Sequence, residues 1–392
     1  MKLINETQCL GCSACSNVCP NGSASIKLND KGFYEAVIND ETCLKCNLCY
    51  NACSIVSSGN SSGSDSLLAN KFFSAKNKNL YEQKSSASGG VSSGLAKIVI
   101  GKGGVVYGAA YSDLKVKTIR IDKMNDIEEI KGSKYVQSFL GDIFMKVKSD
   151  LERGVLVLFT GLPCQLFGLK VFLKKDYSNL ITCQLICHGV SSVKFYNNYI
   201  NYLETKYKEK VEAINFRGKE IEGWSNANIK IKFVNKEKQL LKLLGQTSFG
   251  IAYSKCLNIS ENCFKCKYLY STEADFTLGD YWGCSSEVID ENGLSLIIVN
   301  GDKAEKLLYK QNVIEYKLLN EHEKNLAITG NPRLVKGRNI PSNYFEFQKD
   351  MEKLDFKKLI KKYKLHLSKL LIIKIKLQPL NVLYKKIKHF NK

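Results

Sequence analysis

The residues of this chain with the clearest chemistry are two runs of four cysteines near its start. The first run is Cys9, Cys12, Cys15 and Cys19, and the second is Cys43, Cys46, Cys49 and Cys53. Both have the spacing C-x2-C-x2-C-x3-C, and Ser54 takes the place after the second run that Pro20 takes after the first. This spacing is typical of bacterial two-cluster ferredoxins, in which the fourth cysteine of each run binds the cluster of the other run. It predicts one [4Fe–4S] cluster on Cys9, Cys12, Cys15 and Cys53 and a second on Cys43, Cys46, Cys49 and Cys19.

A pair of zinc sites is the alternative for cysteines clustered in this way. Zinc ligands usually come as two C-x2-C pairs separated by a dozen or more residues, often with a histidine. Here four cysteines lie between Cys9 and Cys19, four more lie between Cys43 and Cys53, and no histidine is near. The spacing therefore favours iron–sulfur clusters over zinc.

Seven further cysteines lie beyond residue 150, and four of them suggest a third metal centre. These four are Cys164, Cys187, Cys263 and Cys266, which lie in loops after predicted strands or in a C-x2-C pair. Four thiols from separate loops can hold a third [4Fe–4S] cluster, but C-x2-C pairs also bind zinc, so both interpretations stay open. Cys183 lies within an apolar strand pattern and is predicted to be a core residue.

Length and composition set limits on the class of protein. The 392 residues exceed the ~250–300 residues at which a single hydrophobic core stops growing, so at least two domains are expected. No apolar run reaches the about 18 residues of a membrane-spanning helix, and the N-terminus has no apolar signal region. We therefore expect a cytoplasmic protein, in which clustered cysteines indicate metal or redox chemistry rather than disulfides.

The positive charge is concentrated at the C-terminal end. Residues 353–392 contain thirteen lysines and one aspartate, so +12 of the net charge of +20 lies there. A uniformly basic nucleic-acid-binding surface is not indicated, and no nucleic-acid partner is expected. The same segment mixes leucine and isoleucine with lysine at near-helical spacing up to Pro379. It predicts either a peripheral contact with an anionic membrane or a helix packed on the body with a solvated lysine face.

The elements that must position the cysteines follow from hydrophobic periodicity. The segment between the two runs predicts a β-hairpin that turns at residues 30–32. Apolar strands precede Cys164 and Cys187, and a helix is predicted from Val193 to Lys208. We expect an α+β protein with the following parts: a ferredoxin-like domain at 1–56, a flexible Gly/Ser-rich linker at 57–70, a mixed α/β body in two parts at 71–155 and 156–345, and a basic amphipathic tail at 346–392.

Six motifs in the body occur in one fixed order: "SSASGGVSSGLAKIVI", "KGSKYVQS", "TGLPCQLFGLK", "LICHGVSS", "CFKCKY" and "ADFTLGDYWG". As a set they resemble the coenzyme F420 hydrogenase/dehydrogenase beta-subunit family, in its version with an N-terminal ferredoxin domain. The resemblance covers about residues 1–340. It implies a flavin- and cluster-binding body in which FAD lies beside a [4Fe–4S] cluster and exchanges electrons with a diffusible partner.

The implied flavin site draws on three of these motifs. Ser88, Gly89 and Gly90 precede a predicted helix, Val91–Ile100, whose exposed N–H groups suit a pyrophosphate. The alternative there is an ordinary serine-capped helix. Candidate donors to phosphate or to the flavin ring are Lys131, Ser133, Lys134 and Gln137, for which the alternative is a solvated basic loop. The resemblance implies that Gly279, Asp280 and Trp282 neighbour the cofactor, although aromatic residues more often fill cores.

These features predict an iron–sulfur flavoprotein oxidoreductase. Electrons pass between the ferredoxin-type clusters and FAD, and on to or from a diffusible coenzyme or organic substrate. The expected partners are a redox protein or reduced ferredoxin, and the resemblance also includes relatives in polysaccharide-gene settings. The alternatives are an electron-transfer adaptor that docks a separate catalytic protein, and a zinc-bound interaction protein. His188 is expected to orient the loop of Cys187, with a role as proton donor to the flavin as the alternative.

Overall fold

A computed structural model describes residues 8–57, 69–221, 223–235, 237–270, 274–285 and 287–366. The first of these ranges, residues 8–57, is called the ferredoxin module below. Its centre is the predicted hairpin, β1 (Ala24–Leu28) and β2 (Tyr34–Ile38), paired antiparallel from Ala24↔Ile38 to Leu28↔Tyr34. Its short helices are α1 (Ala14–Val18), α2 (Leu48–Asn51) and α3 (Ser54–Ser57). Most of the predicted linker lies outside the described residues.

The body is built on one eight-stranded mixed sheet. Its strands are β3 (Lys71–Asn77), β4 (Val105–Ser112), β5 (Lys115–Ile121), β6 (Val157–Gly161), β7 (Leu180–Leu185), β11 (Phe276–Asp280), β12 (Ser295–Val299) and β13 (Ile314–Leu318), in the spatial order β13-β3-β12-β11-β7-β6-β4-β5. The pairs β4–β6, β6–β7 and β7–β11 are parallel, and the flanking pairs are antiparallel. The carboxyl ends of the four parallel strands therefore meet at one edge of the sheet, where open α/β sheets bind ligands.

Helices cover both faces of this sheet because its central strands are apolar on both sides. Val157 and Phe159 of β6 face one core, and Leu158 between them faces the other. The helices of the body are α4 (Leu80–Ser85), α5 (Val91–Gly101), α6 (Ile127–Ile130), α7 (Ile143–Glu152), α8 (Pro163–Leu173), α9 (Val193–Tyr207), α10 (Ser248–Ser254), α11 (Gly301–Tyr309), α12 (Glu321–Gly330), α13 (Tyr344–Lys353) and α14 (Phe356–Lys362). α9 matches the predicted helix and ends where Lys208 adopts a left-handed backbone with φ 52°.

A second, antiparallel sheet lies beside the first and carries the end of the described chain. Its strands are β8 (Val211–Gly218), β9 (Asn228–Phe233) and β10 (Gln239–Leu243). Phe347 and Met351 of α13 and Phe356 and Leu359 of α14 are buried in the core between this sheet and α9. The start of the predicted tail therefore packs on the body with its lysines outward, and the membrane hypothesis concerns residues 367–392, outside the described residues. Across the described ranges, none of the helices combines the length and apolar character needed to span a bilayer.

The ferredoxin module is held against the body by hydrogen bonds between side chains and backbone. Asn262 Nδ2 donates to the Cys9 carbonyl at 2.7 Å, and Tyr268 Oη donates to the Ser54 carbonyl at 2.9 Å. Gln137 donates to the Leu10 carbonyl at 3.3 Å, and its own carbonyl accepts from the backbone N–H of Tyr34 at 2.9 Å. These bonds fix the module relative to the large sheet independently of the linker.

Candidate functional site

The first cysteine group consists of Cys9, Cys12, Cys15 and Cys53, the set assigned to one cluster by the spacing. The four thiols line one pocket and influence one another electrostatically. Ala36 N donates to Cys9 Sγ at 3.4 Å, and the Ser54 hydroxyl lies 3.6 Å from Cys12 Sγ. Burial raises the pKa of Cys9 to about 11 and also raises those of Cys12 and Cys15, so a bound cation is needed to favour these three thiolates. Ser54 therefore contributes a polar contact where a proline was expected.

The second cysteine group consists of Cys19, Cys43, Cys46 and Cys49. The thiols of Cys19, Cys43 and Cys49 interact electrostatically, and Cys46 is the exposed member of the same loop. Backbone N–H groups donate to Cys19 Sγ at 3.3 Å from Ala24 and to Cys43 Sγ at 3.4 Å from Lys45. The structure thus brings the fourth cysteine of each run to the other run, and it leaves the second group nearer to solvent than the first.

The third cysteine group consists of Cys164, Cys187, Cys263 and Cys266, which three separate chain segments bring together. Cys164 begins α8 directly after β6, Cys187 follows β7, and the other two lie in the loop after α10. The thiol of Cys164 interacts electrostatically with the other three, and Gly189 N donates to Cys187 Sγ at 3.4 Å. Among the residues that the structure describes, no three His, Cys, Asp or Glu side chains converge closely enough to share one ion, whereas a four-iron cluster holds its thiolates farther apart. Cys183 is fully buried in the sheet core, as predicted.

The first and third groups are adjacent. Gly168 of α8 lies so close to Cys12 that a Cβ added there would be 3.0 Å from Cys12 Sγ. The thiols of Cys12 and Cys164 also interact electrostatically. Cys19, Cys43 and Cys49 of the second group pack against the apolar cluster that contains Cys15 and Cys53 of the first group. The three groups therefore form a series in which the first group lies between the exposed second group and the third.

A cavity of about 1570 Å³, counted out to its open mouth, lies at the carboxyl ends of β6, β7 and β11; we call it the strand-end cavity. Cys187 of the third group and its neighbour His188 form part of its wall. Eight of the ten predicted flavin residues line it: Ser88, Gly90, Lys131, Ser133, Lys134, Gly279, Asp280 and Trp282. A site at this edge of the sheet is the usual place for a ligand in an open α/β fold.

Gly89 and Gln137 do not line the strand-end cavity. Gly89 N donates to Ser295 Oγ at 2.9 Å, and a Cβ at position 89 would lie 2.5 Å from the Ala75 carbonyl, so this glycine serves close packing. Both ends of the Gln137 amide are used in holding the ferredoxin module. The interpretation of Gln137 as a flavin donor is therefore corrected to a role between the two parts of the chain.

Two lysines of the cavity wall differ in their partners. Lys131 forms ion pairs with Glu82, at 2.7 Å, and with Glu128. Lys134 forms no ion pair with any carboxylate of the described ranges; it donates to the Lys131 carbonyl at 2.6 Å and lies 5.9 Å from the centre of the Tyr111 ring. Burial lowers the pKa of Lys134 to about 7. An anionic ligand in the cavity would supply the missing countercharge.

Two family models match parts of this chain. Residues 155–323 match the family described as the C terminus of the coenzyme F420 hydrogenase/dehydrogenase beta subunit, and residues 8–55 match a 4Fe–4S dicluster domain. The body of the chain thus contains a segment similar to this beta-subunit family, preceded by a 4Fe–4S dicluster domain. These matches indicate an iron–sulfur protein of the oxidoreductase type.

Two relatives show how far the likeness extends. A component of the F(420)H(2) dehydrogenase of Methanosarcina mazei, its F subunit, is 26% identical over 174 residues, which cover 42% of this chain and 48% of that protein. The match thus spans about half the length of the curated relative. A chain of the F420-reducing [NiFe] hydrogenase complex from Methanosarcina barkeri has 17% identity and a TM-score of 0.43, covering 72% of this chain and 97% of that chain. A structural likeness of this size carries no argument about function.

A polar network that the sequence did not indicate shapes the strand-end cavity. Asp280 accepts from Arg217 at 3.0 Å and from Trp224 Nε1 at 2.8 Å, and Trp224 stacks on Trp282 with ring centres 4.7 Å apart. Lys219 donates to the carbonyls of Gln83 and Ser88, which holds the Ser/Gly loop in place. Asp280 is thus committed to an ion pair. Arg217 and Lys219 could not be found from spacing because their partners lie 60 or more positions away in the chain.

His188 is held in place by a basic residue, Arg338. Arg338 Nη2 lies 3.1 Å from His188 Nδ1, and Arg338 Nη1 donates to Cys256 Sγ at 2.9 Å. Burial and the positive charges of Arg338 and Arg333 lower the pKa of His188 to about 4. The imidazole is therefore neutral near pH 7, accepts from Arg338 at Nδ1 and carries its proton on Nε2.

Proposed function

We propose that this protein is an iron–sulfur flavoprotein oxidoreductase. In this proposal, electrons pass between a redox partner at the ferredoxin module and FAD in the strand-end cavity, and on to or from a diffusible coenzyme or organic substrate. The observation that carries the proposal is the series of three neighbouring cysteine groups that ends at the cavity wall at Cys187. FAD, when bound, supplies the exchange between one-electron and two-electron chemistry.

The residues of the cavity fit a dinucleotide such as FAD. Gly90 has φ 77° and stands at the N-terminus of α5, with Ser92 and Ser93 beside it, so a pyrophosphate can approach exposed backbone N–H groups. A Cβ at Gly90 would lie 3.0 Å from the Glu82 carbonyl, which explains why glycine is required there. Lys134 provides a cation without a carboxylate partner on the same wall. The cavity extends from the N-terminus of α5 to Cys187 of the third cysteine group.

The outer end of the series suits contact with a partner protein. Cys46 is exposed, and its neighbours Leu44 and Tyr50 expose 65% and 48% of their surface. Exposed apolar side chains around a redox centre mark an interaction surface. We therefore place the redox partner, such as a reduced ferredoxin, at this loop in the proposal.

The test is an anaerobic purification in which iron, sulfide, zinc and flavin are counted per chain. Each cubane carries four irons, so about twelve irons and one FAD per chain are expected. About eight irons without flavin would instead favour the adaptor hypothesis, in which the body only docks a catalytic partner. Stoichiometric zinc in place of iron would refute both. The variant Cys164→Ser serves as control, since it removes one ligand of the third group and is expected to lower the iron count by about four.

A further inference from the structure

Arg333 is a buried cation beside the third cysteine group. Its side chain is 3% exposed, and its Nε and Nη2 donate to the carbonyls of Cys187 and Cys263 at 3.2 and 3.3 Å. Its Nη1 is buried and has no hydrogen-bond partner, and no carboxylate of the described ranges forms an ion pair with it. Its charge acts on the thiols of Cys187, Cys263 and Cys266.

A buried guanidinium without a countercharge is strongly unfavourable, so a neighbouring negative charge is required. Four thiolates around a [4Fe–4S] core supply it, because the whole unit is net negative and gains one further negative charge on reduction. The cation is therefore bound more strongly when the unit is reduced. Net charge near a cluster is one of the main determinants of its reduction potential.

The ferredoxin module, residues 8–57, contains no buried lysine or arginine. The largest influences on the thiols of Cys9, Cys12 and Cys15 are burial, backbone N–H groups, Ser54 and one another, with no lysine or arginine among them. Within the described ranges, the hydrogen bonds to sulfurs of the module come from backbone N–H groups and Ser54. The three centres therefore differ in charge environment, and the difference favours the reduced state at the third group.

We infer that Arg333 raises the reduction potential of the third cluster above those of the module, so that electrons run from the ferredoxin module toward the strand-end cavity. The inference rests on the proposed function and adds a direction to it: the protein is a reductase of the ligand in the cavity. Two molecules of a reduced one-electron carrier protein each give up one electron at the module. The organic acceptor gains these two electrons and two protons from solvent, and the two carriers leave oxidised.

The experiment is an anaerobic redox titration of the whole protein followed by electron paramagnetic resonance. The signal of the third cluster is identified as the one lost in Cys266→Ser. In the unaltered protein we expect it to be reduced at a higher potential than both other signals. In Arg333→Met its one-electron equilibrium constant is expected to fall at least tenfold, about 59 mV for a one-electron step, with the other two signals unchanged.

Three further variants test whether the change in potential comes from the positive charge of Arg333. Arg333→Lys keeps the charge and is expected to retain most of the potential. Arg153→Met, at an exposed arginine paired with Asp150, is the control and is expected to change nothing. Arg338→Met is the second test should Arg333→Met fail to fold, and a smaller fall of the same sign is expected because Arg338 also acts on Cys187.

The inference is overturned, and the proposed function left intact, if the third signal lies at or below the potential of the others. An unchanged potential in Arg333→Met, or in Arg338→Met where Arg333→Met does not fold, also overturns it. The iron count separates the two failures. A chain with about eight irons and no third signal would overturn the direction together with the proposed function.

Discussion

Replacing Lys134 by methionine tests how the strand-end cavity binds an anion. Lys134 has no carboxylate partner in the described ranges, and burial lowers its pKa to about 7 in the protein without ligand. A phosphate or anionic flavin group beside it favours the charged ammonium and raises this pKa. Binding therefore takes up a proton whenever the pH is above 7. The affinity for the anionic ligand is therefore highest below pH 7 and falls as the pH rises above 7.

The size of the effect follows from that pKa. If the ligand binds only the charged form, the apparent affinity falls roughly 50-fold between pH 7 and 9 and only about twofold between pH 6 and 7. Lys134→Met is expected to bind FAD more weakly at pH 6 and to lose this dependence. Lys219, whose pKa burial lowers to about 8, also titrates in this range, but it is present in both proteins. The difference between the two pH profiles therefore isolates Lys134.

The assay is FAD titration of protein stripped of flavin, followed by fluorescence quenching at intervals between pH 6 and 9. Lys131→Met is the matched control because Lys131 lines the same wall but is already paired with Glu82 and Glu128. We expect Lys131→Met to weaken FAD binding without changing how steeply the affinity depends on pH. The reasoning is refuted if FAD affinity depends on pH equally in Lys134→Met and in the unaltered protein. It is also refuted if the FAD affinity of the unaltered protein does not depend on pH.

Three further changes probe other parts of the molecule. Gly168→Val places side-chain atoms against Cys12 Sγ and is expected to lower the iron count, measured against Gly168→Ala as the milder change. Asp280→Asn leaves the buried Arg217 without its carboxylate, and a loss of about 3–5 kcal/mol of local stability is expected. The loss is measured as faster amide hydrogen exchange in the loop before α5. Unchanged exchange would contradict the role of this ion pair. Leu44→Asp alters the exposed loop at Cys46 and is expected to raise the KM for a reduced carrier protein, while the iron and flavin contents stay constant. An unchanged KM would mean that the carrier protein binds at another surface.

The features predicted well from the sequence are those that leave a pattern among residues close together in the chain. Ligand spacing leads to the cysteine groups because three thiols of each run reach one centre from a few turns of chain. The Gly90 loop could be recognised because a helix start with small residues has a local signature. Alternating apolar residues also indicated the central strands, although they left the strand order undetermined.

The parts missed depend on contacts between distant segments. Arg333 and Arg338 act on residues about 70 to 150 positions earlier in the chain, and nothing in their own neighbourhood distinguishes them from surface arginines. Gln137 was misread because it lies in a basic, flavin-like motif, whereas its amide fits two backbone groups of the ferredoxin module. The contacts between the ferredoxin module and the body were also missed, because they are hydrogen bonds between residues far apart in the chain.

The exposure of Cys46 has a consequence for handling the protein in air. Oxygen reaches the second cysteine group first, since one of its ligands lies at the surface while Cys15 and Cys53 of the first group are buried. Oxidative damage is therefore expected to proceed inward, with the outermost centre lost before the other two. A sample prepared aerobically would then retain about eight irons in its inner centres and imitate a chain with only two clusters. The order in which iron is released during timed exposure to air would reveal the depth of each centre.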